Sequence, residues 1–226
     1  MPPRQPLRAK IREYLLEQIL DGAYEPGDPI RELDVAARLE VSQAPVREAL
    51  RELVSTGLVE YVPNRGTRVR RIDSTELEHY YPVRAALEGL AGEFAAPYLA
   101  GAAEPLYGRV DEMVEAAGRS AVLEFARASA GFHRTIVEAA HNRALFDAWQ
   151  ALGIEVLTAV SLATTAIPLI DAAAEHRPIA DALAAGDGKR AGNLLRNHVG
   201  DYGIRAKRPA RRPVSVSAGV KTGHGE

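Results

Sequence analysis

The stretch that decides the fold of the first part of the chain is IRELDVAARLEVSQAPVREALRELVSTGLVEYVPNRGTRVRR, residues 30–71. Two sets of apolar residues recur in it at helical spacing: Leu33, Ala36, Ala37 and Val41, then Val46, Ala49, Leu50 and Leu53. Ser42 is a favourable N-cap residue for the second set, and Gly57 follows it as a C-cap glycine does. The pattern predicts two short helices joined by a tight turn.

The exposed face of the second predicted helix suits the major groove of DNA. Its N-terminal end carries short or hydrogen-bonding side chains that can meet base edges, and its arginines can reach guanine or phosphate: Ser42, Gln43, Ala44, Arg47 and Arg51. Beyond Gly57, alternating residues on both sides of the turn Pro63-Asn64-Arg65-Gly66 predict a two-stranded wing with basic side chains. Without the wing, the same pattern would also fit two amphipathic helices that simply pack on each other.

The run VSQAPVREALRELVSTGLVEYVPNRGTRV, residues 41–69, closely resembles the winged helix-turn-helix of GntR-type bacterial transcription regulators. The similarity covers roughly Leu7 to Ile72 and implies a DNA-binding domain over residues 1–72. It also implies DNA contacts before the first helix and at the wing, which are Arg31, Asn64, Arg65, Gly66 and Thr67. The family usually has Arg-Thr where this chain has Gln43-Ala44, so the preferred bases are expected to differ.

Charge is distributed unevenly along the 226 residues, although the formal net charge is only −2. Residues 1–72 hold 12 Lys/Arg and 11 Asp/Glu, whereas residues 73–205 hold 11 and 18. We therefore expect only the first domain to face phosphate.

The chain has no cysteine, which excludes disulfides, thiolate zinc sites and cysteine nucleophiles. It also lacks an apolar run of membrane-spanning length and a signal-peptide core, so a soluble, cytoplasmic protein is expected.

After a short junction at residues 72–74, the sequence is rich in Ala, Leu and Glu and predicts about six helices, near 75–99, 103–117, 120–141, 144–165, 169–185 and 188–204. Pro178 is expected to split or kink the fifth. The predicted fold is mainly α, with the winged domain followed by an antiparallel helical bundle over residues 73–205. Residues 206–226 are basic and rich in Pro, Ser and Gly, which predicts a disordered tail.

The bundle resembles the FCD ligand-binding domain of FadR-like GntR regulators. Local matches at residues 80–91, 132–136, 139–145 and 175–187, together with the late His198, carry the resemblance. A count of about six helices is similar to the VanR-type subgroup. The resemblance implies a small organic acid effector and a homodimer paired through Tyr80–Leu99 and Leu145–Leu162.

Three histidines are predicted to converge inside the bundle. Ser129 and His133 share the apolar face of one helix, and the registers of His176 and His198 point them inward from two others. Such residues are either hydrogen-bonded core or a metal site. FCD domains commonly hold a metal with one Asp and three His, and Ser129 stands in the Asp position here. The resemblance therefore implies His133, His176 and His198 as ligands of Zn²⁺ or Ni²⁺, bound more weakly.

Two further residues have an open interpretation. Arg84 can pair with an effector carboxylate, as the resemblance implies, or with Glu88 one helical turn later. Asn142 can contact the effector or cap a helix.

The predicted function is an effector-controlled DNA-binding regulator, with a repressor as the expected type, that reads an inverted repeat as a dimer. It is not expected to be an enzyme. The alternatives are a metal-dependent hydrolase, which the sequence disfavours because no inward carboxylate is expected beside the histidines, and an effector-independent architectural DNA-binding protein, which would have a filled bundle.

Overall fold

The computed structural model describes residues 6–72, 74–164 and 168–206, so Asp73 of the junction and the predicted tail from residue 207 lie outside the described residues. Three helices and three short strands build the N-terminal part: α1 (Leu7–Leu20), β1 (Pro29–Ile30), α2 (Glu32–Leu39), α3 (Gln43–Ser55), β2 (Val59–Val62) and β3 (Gly66–Val69). The strands form an antiparallel sheet in the order β1-β3-β2. The predicted wing is the β2–β3 hairpin, and β1 adds a strand too short to show any alternation in the sequence.

The register of α3 agrees with the prediction. Its four predicted core residues, Val46, Ala49, Leu50 and Leu53, are all buried. Gly57 has a φ of 76°, and the bonds from Gly57 N to Val54 O and from Leu58 N to Leu53 O close the helix. Ser42 is the N-cap residue, as predicted, although its side chain makes no capping hydrogen bond.

The predicted core stripe of α2 is wrong in part: Ala36 is buried and Val41 packs against the core, but the other two residues are not buried. Leu33 is 66% exposed and Ala37 is exposed, whereas Val35 and Ala36 are buried. Because α2 is only 8 residues long, one turn suffices to fix it to the core, and that turn is centred on Val35 rather than on Leu33.

The helical part contains eight described helices instead of about six: α4 (Ser74–Leu99), α5 (Glu104–Gly118), α6 (Val122–Ala139), α7 (Arg143–Gln150), α8 (Ile154–Thr164), α9 (Leu169–Ala174), α10 (Arg177–Ala184) and α11 (Gly188–Ala206). The predicted helix 144–165 breaks at Gly153, whose φ of 60° is left-handed. The predicted helix 169–185 breaks before Pro178, which lies in the first turn of α10, where a missing N–H costs little.

Close packing of α11 on α4 positions the inward-facing polar residues of the bundle. A Cβ at Gly192 would lie 2.7 Å from the carbonyl oxygen of Gly89, so only glycine allows this approach. The contact brings His198 of α11 to the same interior as Arg84 and Glu88 of α4.

No helix within the described ranges is long and apolar enough to cross a membrane.

Two hydrophobic cores occupy the two parts of the chain, and a few side chains connect them. One core includes Ile11, Leu15 and Leu53, and the other fills the helical bundle. Leu123 of α6 and Val160 of α8 pack against the N-terminal core although they belong to the bundle. The two parts are therefore in direct contact.

Candidate DNA interface and effector site

A groove of about 770 Å³ lies between α3, the wing and the start of α2. Six of the ten predicted DNA contacts line it: Arg31, Arg47, Arg51, Arg65, Gly66 and Thr67. The other four, Ser42, Gln43, Ala44 and Asn64, are exposed at the N-terminal end of α3 and at the tip of the wing.

The lining of this groove is strongly basic. Four arginines from three separate elements face one glutamate, Glu32. Such a concentration of positive charge attracts the DNA backbone and explains how a chain with a net charge of −2 can bind nucleic acid. Glu32 and Tyr61 also line the groove but were not predicted, although Tyr61 lies directly opposite the predicted contact Thr67 in the β2–β3 ladder.

Three buried histidines converge inside the bundle as predicted. His133 lies on α6, His176 directly precedes α10, and His198 lies on α11. Their candidate ligand atoms all lie within 4.8 Å of one another, and the relative exposure of each residue is 9% or less. One imidazole comes from each of three separate segments, so the cluster depends on the tertiary fold.

Each imidazole has an oxygen atom close to its Nδ1 atom. His176 Nδ1 lies 2.9 Å from the carbonyl oxygen of Ala172, and His198 Nδ1 lies 3.1 Å from Glu175 Oε2. His133 Nδ1 lies 2.7 Å from Glu88 Oε2, a close ion-pair contact that is not aligned as a hydrogen bond. For His176 and His198, the acceptor at Nδ1 holds the proton there and leaves the Nε2 lone pair free to bind a ligand.

The donor set fits a divalent metal ion. His133 Nε2 is buried and has no hydrogen-bond partner among the described residues, and Ser129 Oγ lies 3.4 Å from His176 Nε2. Burial lowers the pKa of His133 to about 4, although Glu88 acts in the opposite direction. Burial also lowers the pKa of His176, and the neighbouring His198 adds to that effect. Neutral imidazoles are the form that binds Zn²⁺ or Ni²⁺.

Arg84 is paired with Glu88, one of the two interpretations that the sequence left open. Its Nε donates to Glu88 Oε1 at 2.8 Å, and its NH1 donates to Thr158 Oγ1 at 3.2 Å. Trp149 Nε1 also donates to Glu88 Oε1, at 2.9 Å. Burial alone would raise the pKa of Glu88, but Arg84 and His133 outweigh burial and hold that pKa below its usual value.

Glu88 corrects the expectation that no inward carboxylate lies beside the histidines. It is 1% exposed and contacts His133. However, it faces the Nδ1 side of the ring and is held by Arg84 and Trp149, which suits a residue that orients His133 rather than a base that activates water. The sequence shows that Glu88 follows Arg84 by four residues, but it does not show that Glu88 is buried.

A cavity of about 20 Å³ lies against two of the histidines, His176 and His198. Its polar lining consists of Tyr81, Arg84, Ser129, Thr158, Ser161, His176, His198 and Tyr202. This volume holds about one water molecule. Binding of a metabolite at this position therefore requires the surrounding helices to move apart.

Asn142 is not part of this cavity. Its side chain accepts a hydrogen bond from the backbone N–H of Leu145 at 3.1 Å and caps α7. The capping interpretation therefore describes its contact in the structure.

The chain combines the basic groove of a winged helix-turn-helix with a polar, buried site in a helical bundle. This combination defines a DNA-binding regulator that carries its own ligand-binding domain. Comparison with known families agrees with this class. Residues 7–69 match the gntR family of bacterial regulatory proteins, and residues 79–201 match the FCD domain. The chain belongs to the GntR family and carries an FCD domain, which confirms the predicted family. The VanR-type assignment stays a prediction.

Relatives that are named as transcription regulators support the same class. The chain is 45% identical over 199 residues, 88% of each protein, to a protein of Paenarthrobacter nicotinovorans named "Probable D-xylose utilization operon transcriptional repressor". It is 35% identical over 86 residues, 38% of each protein, to the HTH-type transcriptional repressor RspR of Escherichia coli K12. These relatives are transcription regulators and not enzymes.

Solved structures show the same fold. A GntR regulator from Rhodococcus sp. RHA1 matches with a TM-score of 0.70 and 23% identity, over 88% of this chain and 96% of that one. McbR/YncC of E. coli matches with a TM-score of 0.70 and 20% identity, over 89% and 97% of the two chains.

Proposed function

We propose that this protein is a cytoplasmic repressor whose affinity for an inverted-repeat operator is controlled by a small carboxylate metabolite bound between Arg84 and the three histidines. The observation that carries the proposal is the cluster itself. Two of the three buried imidazoles are hydrogen-bonded through Nδ1, and the third, His133, has an Nε2 with no hydrogen-bond partner among the described residues. Such a cluster is costly in a core that binds nothing.

A carboxylate suits the charges around the cavity. Arg84 lines it with a buried guanidinium. Glu88 already pairs with that guanidinium through Nε, so a ligand carboxylate would accept from its terminal N–H groups, where a charge-assisted hydrogen bond is strong. His133, His176 and His198 would hold a divalent metal ion if one is bound, which would supply positive charge for an anionic ligand. Ser129 contributes a hydroxyl where the related domains place a carboxylate, so it does not repel an acid.

The relative from Paenarthrobacter suggests a more specific target, because its name refers to an operon for D-xylose utilization. We propose that this chain also controls genes of carbohydrate utilization. The hydroxyl-bearing residues around the cavity, Tyr81, Ser129, Thr158, Ser161 and Tyr202, favour a polyhydroxylated acid over a simple fatty acid.

A homodimer would place two winged domains on the two half-sites of an operator. One face of α4 supports this assembly, because it exposes four large apolar residues: Val83, Leu90, Phe94 and Tyr98. The second segment predicted to form the dimer interface, residues 145–162, differs from α4. Its described large apolar side chains, such as Leu145 and Trp149, are buried in their own bundle. We therefore expect α4 to provide most of the interface.

Contacts between the two parts of the chain offer a route from the site to DNA. Arg127, which precedes Ser129 by two residues on α6, forms an ion pair with Glu13 of α1. A Cβ at Gly153, at the start of α8, would lie 2.6 Å from the carbonyl oxygen of Thr56, just after α3. A ligand that moves α6 or α8 would consequently shift the winged domain and change its fit to the operator.

The small cavity favours a second candidate, an effector-independent DNA-binding protein, because the bundle is nearly filled. A calorimetric screen of sugar acids and hydroxy acids, with and without Zn²⁺ or Ni²⁺, separates the two candidates. Our proposal predicts that at least one acid binds to the wild-type protein and does not bind to His133→Ala/His198→Ala. If no acid or metal binds to the wild-type protein, the effector-independent candidate is correct.

A further inference from the structure

An acidic side chain occupies the basic groove and contacts the recognition helix. Glu32, the first residue of α2, accepts hydrogen bonds from Arg47 Nε at 2.9 Å to Oε2 and 3.1 Å to Oε1. Arg47 NH2 lies 2.8 Å from Glu32 Oε2. The two side chains are 51% and 30% exposed, so the pair is open to the groove.

Neither folding nor attraction of DNA accounts for this carboxylate. An exposed ion pair of this kind contributes little to stability, and an acidic residue in the first turn of a helix adds only a modest interaction with the helix dipole, which Asp34 also provides. In a groove lined by Arg31, Arg47, Arg51 and Arg65, a carboxylate weakens the attraction for phosphate. The role of Glu32 therefore lies in the orientation of the Arg47 side chain.

The geometry of the pair determines which donors of Arg47 remain. Glu32 engages the side-on edge of the guanidinium, formed by Nε and NH2. The end-on edge, formed by NH1 and NH2, points away from that carboxylate. Two N–H groups on one edge of an arginine are the donors that bind guanine O6 and N7 together.

We infer that Glu32 is a positioning residue that holds Arg47 for base reading and keeps it from the nearest phosphate. This inference rests on the proposed binding to an operator. An arginine without such a partner has several rotamers of similar energy and can bind phosphate on any sequence. Glu32 therefore lowers affinity for all DNA slightly and raises the difference between operator and other DNA.

The experiment compares variants on an operator that the wild-type protein selects from random DNA. We measure the affinity of each variant for this operator and for a scrambled sequence over a range of salt concentrations. Glu32→Ala should lower the operator-to-scrambled ratio roughly tenfold. Its affinity for scrambled DNA should be equal or higher, and the slope of log K against log salt should steepen by about one, because the released Arg47 turns to phosphate.

Three controls separate positioning from other roles. Glu32→Gln should keep most of the discrimination, because its amide oxygen still accepts from Arg47 Nε. Asp34→Asn removes the same charge from the first turn of α2 without a contact to Arg47, and should leave the ratio unchanged. In an Arg47→Ala background, Glu32→Ala should have no further effect on the ratio.

Several results would overturn the inference. One is a Glu32→Ala variant that keeps the wild-type ratio, or that loses affinity for both DNAs equally. Another is an equal loss of discrimination with and without Arg47, which would mean that Glu32 contacts a base itself. If the wild-type protein selects no sequence at all, the proposed function fails and this inference fails with it.

Discussion

Replacing Glu88 by Gln tests the buried charge network on which the site depends. Glu88 and Arg84 are 1% and 5% exposed at their side chains and are joined at 2.8 Å. Glutamine retains the shape and an oxygen that accepts from Arg84 Nε and Trp149 Nε1. The variant removes the charge and places an amide NH2 where Glu88 Oε2 now faces His133 Nδ1. Arg84 is then left as a buried cation without a counter-ion.

Breaking a buried ion pair in this way destabilises a protein by roughly 3–5 kcal/mol. For a chain of this size, that loss lowers the Tm by about 10 °C. Urea denaturation at pH 7, in the presence of a chelator and followed by circular dichroism, measures the change directly.

The matched control is Glu138→Gln, because Arg134 and Glu138 form the same i,i+4 pair on the surface. Their Nε to Oε1 distance is 2.7 Å, and their side chains are 54% and 51% exposed. This variant should lose less than about 1 kcal/mol. Arg84→Met combined with Glu88→Gln should recover at least half of the loss, since no buried charge remains. A Glu88→Gln variant as stable as Glu138→Gln would refute the reasoning.

Three other predictions follow from single positions. Gly153 has a left-handed φ, and a Cβ at this position would lie 2.6 Å from Thr56 O. Gly153→Ala should therefore separate the two domains, and a binding titration should show that no effector changes its operator affinity. Phe94→Glu should halve the mass seen by light scattering, because it places a charge in the exposed apolar face of α4. The metal-free protein should lose stability as pH falls from 6.5 toward 4, because the unfolded chain then takes up a proton that folded His133 excludes. Melting curves should show a shallower pH dependence for His133→Phe.

The residues with the strongest local signals were predicted well. The core face of α3, the C-cap at Gly57 and the turn of the wing follow from spacing and from the properties of Gly, Pro and Asn. The convergence of His133, His176 and His198 followed from their registers on apolar faces, together with the resemblance to the FCD domain.

The errors share a physical cause, which is packing between elements distant in sequence. Leu33 had a suitable helical period, but the contact of α2 with the core is centred on Val35. The break at Gly153 depends on the close approach of Thr56. The burial of Glu88 depends on Trp149, 61 residues later. No pattern within a single helix contains this information.

The effect of an acid on operator affinity is the most direct test of the account. The measurement is the affinity for the selected operator with and without the acid that binds in calorimetry, for the wild-type protein and for His133→Ala/His198→Ala. We predict that the acid changes wild-type affinity at least tenfold, that the double variant does not respond, and that both proteins bind the operator equally well without the acid. An equal response of both proteins would contradict the assignment of the effector site to the three histidines.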